Sequence, residues 1–242
     1  MTIQPATHAT IRQCRELHTT RGCMESGLFL LEGEHLVKEA IQTGYPLEFV
    51  LYTSEYQHLL PSGFTAFLAT KAQMERACDT KTPQGIAAVA GIKSIETNKL
   101  NEAKRLLILD NLQDPGNTGT LLRCAEACGF THVLACGGAY PWAPKCVRAT
   151  MGSILRVQVM HCEEPPILEG FSVWAACLGG EDAWQIDNVP DKLAVVIGSE
   201  ARGVSMYWQE NARKISLPMA GEVESLNAAM AGGIIMYRVF RN

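Results

Sequence analysis

The sequence predicts an α/β chain in two parts: a small N-terminal α/β unit, then a larger α/β domain on a mainly parallel sheet. Three observations carry that expectation. In the second half, four nearly continuous apolar runs at 106–109, 132–135, 173–176 and 193–197 alternate with stretches of helical pattern. Strands of that kind belong to a parallel sheet covered on both faces. In the first half the apolar runs are shorter and the alternation is tighter. Between the halves, residues 91–103 are polar and without strong periodicity, as a connecting segment would be. The expected boundaries are 1–92, a linker at 93–103, and 104–242.

In chain order, a helical pattern at 11–18 precedes the short run Phe29-Leu30-Leu31, and a second helical stretch covers 34–43. Phe49-Val50-Leu51-Tyr52 is strand-like through its aromatic and β-branched residues. A helical pattern at 72–78 and a strand at 85–90 complete the first part. In the second part, helices are expected at 118–128, 204–211 and 226–240, and a short strand ends at Pro218, which cannot continue a central ladder.

The 242 residues suffice for two modest domains, and 47% apolar with 19% charged content suits a globular enzyme. The formal charge of −4 disfavours nucleic-acid binding through bulk electrostatics, so any RNA contact has to come from a few placed Arg and Lys residues. Nine cysteines at irregular spacing form no CxxC pair, which excludes a zinc knuckle and reads as free buried thiols in a reducing cytoplasm. No segment has the apolar length of a membrane span or a signal peptide.

In open α/β sheets, ligands bind beyond the carboxyl ends of the strands. Three segments at such ends stand out. The first runs from Asp110 to Arg123, where Pro115, Gly116 and Asn117 make a turn, Asn117 is suited to cap the next helix, and Arg123 follows less than two turns on. The second is Gly198-Ser199-Glu200-Ala201-Arg202-Gly203, two glycines flanking a carboxylate. In the third, Leu217-Pro218-Met219 leads through Gly221 to Ser225-Leu226-Asn227, with Ser225 the expected cap of a helix rich in small residues. Each segment alone is also what an ordinary capped helix or tight turn requires. GxGxxG after a strand, GxxxxGK[ST], HExxH and GxSxG are all missing, which excludes the enzyme classes built on them.

Together and in this order, the three segments resemble the motifs of the SpoU (TrmH-type) 2′-O-ribose methyltransferases of the SPOUT class. Asn117, Gly119 and Arg123 match N-x-G-x-x-x-R; Gly198, Glu200 and Gly203 match G-x-E-x-x-G; Leu217, Pro218, Met219, Gly221, Ser225, Leu226 and Asn227 match the last. The stretch at 148–156 resembles the family's connector. Phe29 to Gly33 and Thr82 to Ile86 resemble the ribosomal-protein-like RNA-binding domain that often precedes the catalytic one.

The resemblance implies a C-terminal domain tied in a trefoil knot, a homodimer, and S-adenosylmethionine as cofactor. It implies a cofactor pocket at Cys177, Leu178, Gly198, Glu200, Ile215, Leu217, Met219 and Leu226, with Asn117, Arg123, Glu200, Ser225 and Asn227 as catalytic residues. Arg123 is expected either as base or as a clamp on the phosphate beside the target ribose, with Asn117 positioning Arg123 or the ribose and Glu200 orienting Arg123 or the cofactor pocket. Arg21, Lys38, Lys145, Arg148 and Arg156 are the expected RNA contacts, and no metal is expected. The implied substrate is structured RNA, ribosomal rather than transfer RNA. The rival readings are a catalytically silent RNA-binding assembly factor, a methylase of a tRNA ribose or of a base, and a small-molecule methyltransferase.

Overall fold

The computed structural model describes residues 4–60, 63–221 and 225–241. Its contacts divide into two units, one holding the described residues up to Ile92 together with Trp142–Leu155, the other Lys93–Pro141 and the described residues from Arg156 onward. The first unit comprises β1 (Gln4–Pro5), α1 (His8–Glu16), α2 (Thr20–Ser26), β2 (Leu28–Glu32), α3 (Glu34–Gln42), β3 (Leu47–Tyr52), β4 (Ala66–Leu68), α4 (Lys71–Ala77) and β5 (Ile86–Gly91). Its sheet has the order β1-β4-β3-β5-β2, with β5 antiparallel to both neighbours. Threonines start three of the helices: Thr7, Thr19 and Thr70 each accept a hydrogen bond from a first-turn amide, and Thr70 forms a capping box with Gln73. β5 lies inside the sheet between β3 and β2, and its small residues Ala87, Ala88 and Ala90 are all buried.

The chain continues through α5 (Thr97–Leu100), β6 (Arg105–Asp110), α6 (Pro115–Ala127) and β7 (His132–Cys136). The next helix, α7 (Pro144–Ala149), belongs to the first unit and packs on β2. β8 (Gln158–Cys162), β9 (Ser172–Asp182), β10 (Leu193–Gly198), α8 (Met206–Asn211), β11 (Arg213–Ser216) and α9 (Ala228–Phe240) complete the second unit. Its six strands, ordered β11-β9-β10-β6-β7-β8, are all parallel. The apolar runs of β6, β7 and β10 occupy the middle of this sheet, as strands buried on both faces must. Leu100, Leu106, Ile108, Leu134, Val196 and Trp208 form the core on one face. α6 and α9 pack together on the same unit.

The structure departs from expectation in three places. The segment 93–103 is not a free connector: Ile95 donates to the Val159 carbonyl (3.0 Å), and Leu100 and Ala103 are buried in the second unit. Its few apolar residues all turn inward, a pattern too sparse to register as periodicity. Trp142–Leu155, expected within the C-terminal domain, packs with the first unit. The helix caps also shift. Asp114 caps α6, accepting from the Asn117 amide (2.8 Å), because Pro115 already starts the helix with its fixed φ. Asn227, not Ser225, caps α9 by accepting from Ala229 (2.9 Å) and Met230 (3.2 Å).

Candidate active site

A cleft of about 700 Å³ opens at the carboxyl ends of β9, β10 and β11. Three local features of the chain build it. Between Lys214 and Ile215 the β9–β11 register jumps from Ala175 to Glu181, so 176–180 bulge out and carry Cys177 and Leu178 to the cleft. After β10, Ser199 and Gly203 exchange backbone hydrogen bonds (3.0 and 2.8 Å), while Ser199 Oγ accepts from the Arg202 amide (3.1 Å). Gly198 is required there because a Cβ would sit 2.2 Å from the carbonyl carbon of Gly203. The missing side chain is thus what lets the loop close on itself. The third feature is the path from Ile215 through Leu217 and Met219, and again from Ser225 to Ala228, along the cleft wall. All eight residues expected at the cofactor line this one space.

Beside the cleft, Asn227 Nδ2 donates to Asn117 Oδ1 (3.1 Å), and Asn117 Nδ2 donates to Glu200 Oε1 (2.9 Å). Glu200 also accepts from the amides of Gln113 (3.2 Å) and Asp114 (3.3 Å). The chain Asn227–Asn117–Glu200 therefore joins all three sequence segments, with Asn117 as the middle link. Partial desolvation works to raise its pKa. The bonds from Asn117, its own amide, Gln113 and Asp114 together outweigh that and hold the group below the usual carboxylate range. A carboxylate so held accepts hydrogen bonds well and protons poorly.

Sequence reasoning missed what aims the first loop. Asn111 has φ +54°, a left-handed conformation that ends β6, and its Oδ1 accepts from Gln113 Nε2 (2.7 Å). Asp110 Oδ2 accepts from the Ser205 amide (2.6 Å), tying the end of β6 to the start of α8. The only sequence signal for either was an Asp-Asn pair at a strand end.

Arg123 stands apart. It lies exposed on α6, makes no hydrogen bond or ion pair among the described residues, and does not line the cleft. Glu200 and Asn117 bind each other rather than Arg123. Ser225 lines the cleft and is exposed. The expected RNA contacts are mostly engaged with carboxylates. Arg21 pairs with Glu25 (2.7 Å), Lys38 with Glu34, and Arg156 with Glu126. Arg148 reaches Glu32 (3.0 Å) and Asp79 (2.9 Å), and Glu32 is buried and further bonded to Thr80 (2.7 Å). Lys145 is exposed on α7.

In the first unit, the two segments that resembled an RNA-binding domain come together. Gln84 Oε1 accepts from the Glu34 amide (2.9 Å), and Gly33, at φ +93°, leaves the space a Cβ would take from that carboxamide. Around them lies a hollow of about 320 Å³ bordered by His35, Thr80, Thr82, Gln84, Arg148 and Met151.

The larger cleft fits a ligand with both apolar and polar parts. Its volume is within the range of about 300–1,000 Å³ typical of small-molecule sites. Leu178 (70% exposed) and Leu226 (41%) present bare apolar surface around backbone amides and carbonyls, as an adenosine-sized group would need. Among the described residues no three His, Cys, Asp or Glu side chains cluster as a metal site would require, and no helix is long and apolar enough to cross a membrane.

Residues 104–237 match the SpoU rRNA Methylase family, and residues 8–88 match the MRM3-like substrate binding domain. A relative in Bacillus subtilis (strain 168), the 23S rRNA (guanosine(2553)-2′-O)-methyltransferase RlmP, is 30% identical, with 98% of each chain covered. The fold also matches a putative RNA methyltransferase of the TrmH family from Porphyromonas gingivalis (TM-score 0.85, 27% identity, 98% of each chain). It likewise matches the SpoU methyltransferase AviRb from Streptomyces viridochromogenes, solved in complex with AdoMet (TM-score 0.82, 23% identity, 97% of this chain and 98% of that one). With the motifs in order, one hydrogen-bonded chain joining all three, and a match over more than half its length, the chain belongs to the SpoU rRNA methylase family.

Proposed function

We propose that this protein methylates a ribose 2′-hydroxyl of ribosomal RNA, using S-adenosylmethionine held in the cleft at the ends of β9, β10 and β11. The observation that carries the reading is the Asn227–Asn117–Glu200 chain of hydrogen bonds at the edge of a cleft lined by all the expected cofactor residues. When bound, the cofactor supplies an electrophilic methyl group on a sulfonium. Cys177, Leu178, Leu217, Met219 and Leu226 cover its apolar parts, and backbone at Gly198 and Ile215 meets its polar ones. Glu200, depressed and fully engaged, positions the first loop and takes no proton. Arg123 acts as a phosphate clamp that sets the target hydroxyl in line with the methyl carbon, since a guanidinium keeps its proton in proteins. Ser225 and Asn227 close the pocket.

Arg123 lies outside the cleft of its own chain, which supports a homodimer whose active site is completed at the subunit boundary. The exposed Met230, Tyr237 and Phe240 on one side of α9 supply an apolar surface for such contact. We also propose that β11 and α9 close the trefoil knot. The edge position of β11 beside β9, followed by a helix packed on α6 and β10, supports that path. Nine free cysteines fit a cytoplasmic protein. The hollow bordered by Gln84 is the proposed RNA contact of the first unit, to which Arg21, Lys38 and Arg148 contribute only where RNA displaces their carboxylates; Lys145 and Arg156 are further proposed RNA contacts.

The test is methyl transfer from radiolabelled S-adenosylmethionine into separated ribosomal and transfer RNA pools, digested to nucleosides. Label is expected in 2′-O-methylated nucleosides of ribosomal RNA. Arg123→Ala is expected to lose roughly a hundredfold or more of that rate while cofactor affinity holds. Label in a methylated base, or none in any pool or immature particle despite cofactor binding, would overturn the reading in favour of a base methylase or a silent assembly factor.

A further inference from the structure

Cys136 and Cys162 end two neighbouring parallel strands, β7 and β8, and face each other directly in register. Their Sγ atoms are 3.5 Å apart, within thiol–thiol hydrogen-bond reach. Adjacent strands lie about 4.7–4.9 Å apart, inside the Cα separation of about 4.4–6.8 Å that a disulfide spans. Cys136 is buried and Cys162 half-buried, so one sulfur of the pair is open to a small oxidant while the other is shielded behind it. Both strand ends also bear on the first motif loop. The Cys136 carbonyl accepts from the Asn111 amide (2.8 Å), and the Cys162 carbonyl accepts from the Gly137 amide (2.8 Å). Asn111 is the left-handed residue that turns the chain toward Gln113, Asp114 and Asn117.

We propose that Cys136 and Cys162 form a redox modification site, a dithiol that peroxide converts reversibly to a disulfide, and that its closure loosens the loop running from Asn111 to Asn117. Cys162 is the attacking sulfur. The Cys136 thiol hydrogen-bonds to it and favours its thiolate, against the opposing effects of burial and Glu163. Burial instead pushes Cys14 up to about 12 and Cys23 and Cys128 up to about 11, leaving those thiols inert. The Cys162 thiolate attacks one oxygen of hydrogen peroxide, the O–O bond breaks, and hydroxide departs, leaving a sulfenic acid. The Cys136 sulfur then attacks the Cys162 sulfur, the S–O bond breaks, and water leaves with the thiol proton. Two thiols lose two electrons and two protons, and the peroxide becomes two waters. The bond fixes the S–S length and dihedral, and so constrains the Cys136 end of β7, whose carbonyl anchors Asn111.

The experiment treats the full chain with hydrogen peroxide, then combines intact mass, peptide mapping and amide hydrogen exchange, before and after dithiothreitol. The expected result is a loss of two hydrogens mapped to a Cys136–Cys162 cross-link, with exchange in peptides spanning 111–117 accelerated at least threefold and restored by dithiothreitol. Cys162→Ser is expected to abolish both changes, and Cys136→Ala, which keeps Cys162, to show sulfenic or higher acids there without a cross-link. Oxidation that gives other pairings, or acids on Cys162 with Cys136 left free in the unaltered chain, would overturn the site. A cross-link that leaves exchange at 111–117 unchanged would overturn its link to the loop.

Discussion

At Glu200, two carboxylate oxygens hold the first segment by receiving Asn117 Nδ2 and the amides of Gln113 and Asp114, and Asn117 in turn accepts from Asn227 of the third. A glutamine there keeps the size but offers an NH₂ where an acceptor is needed. Glu200→Gln is therefore expected to slow methyl transfer by roughly tenfold to a hundredfold through misplacement of the loop. The sign of the pH dependence follows from the lowered pKa. Contacts favouring the ionised form are fully present above the ordinary carboxylate value of about 4.3 and are lost only as pH falls through the lower folded value. Rate profiles of the unaltered chain and of Glu200→Gln should thus have the same shape between about pH 6 and 9. A limb in that range that vanishes with the substitution would make Glu200 a proton carrier instead. The residue types in this network were legible in the sequence as motif members. Their bonding was not: the expected partners were Arg123 or the ribose for Asn117 and Arg123 or the cofactor pocket for Glu200, and the bond between the two side chains was not foreseen.

The pairing of α6 with α9 depends on what is missing from one turn. A Cβ on Gly232 would lie 2.4 Å from Leu121 Cδ2 and 3.0 Å from Ile197 Cγ1, and both of those side chains are fully buried. The next glycine has room: a Cβ on Gly233 would lie 3.4 Å from Cys124 Sγ. Gly232→Ala is expected to destabilise the protein by about 1–3 kcal/mol in urea unfolding, while Gly233→Ala is neutral or stabilising through helix propensity. Equal effects at the two positions would mean that the helices do not meet at Gly232. The run of small residues in this helix was visible in the sequence as a sign of close approach, but its partner was not. Helix starts were also misplaced by up to three residues, since Asp114 and Asn227 compete with nearby Asn and Ser as caps and only the path of the chain decides between them.

Among the described residues, seven of the chain's 21 Lys and Arg side chains are held by carboxylates. Arg12, Arg21, Lys38, Lys99, Arg148, Arg156 and Arg213 each pair with a carboxylate, in a chain of net charge −4. With the net charge negative, few phosphate contacts are expected on RNA. Binding to ribosomal RNA is therefore expected to weaken with salt along a log–log slope shallower than about −4, fewer phosphate contacts than a basic RNA binder makes. A slope near about −8, measured by filter binding across a salt series, would show that RNA breaks these ion pairs open. The sequence by itself determined the two-part α/β plan, the parallel sheet and the three chemical segments, because each of these is local: apolar runs, turn residues and motif spacing lie within a few consecutive positions. Only the tertiary structure decided that Trp142–Leu155 returns to the first unit, that Glu200 binds Asn117, that Cys136 meets Cys162, and that Arg148 is held by Glu32 and Asp79. Those facts depend on strand order and register, which bring together residues 26 to 116 positions apart, and a polar side chain's choice among partners is settled only when the backbone has placed them.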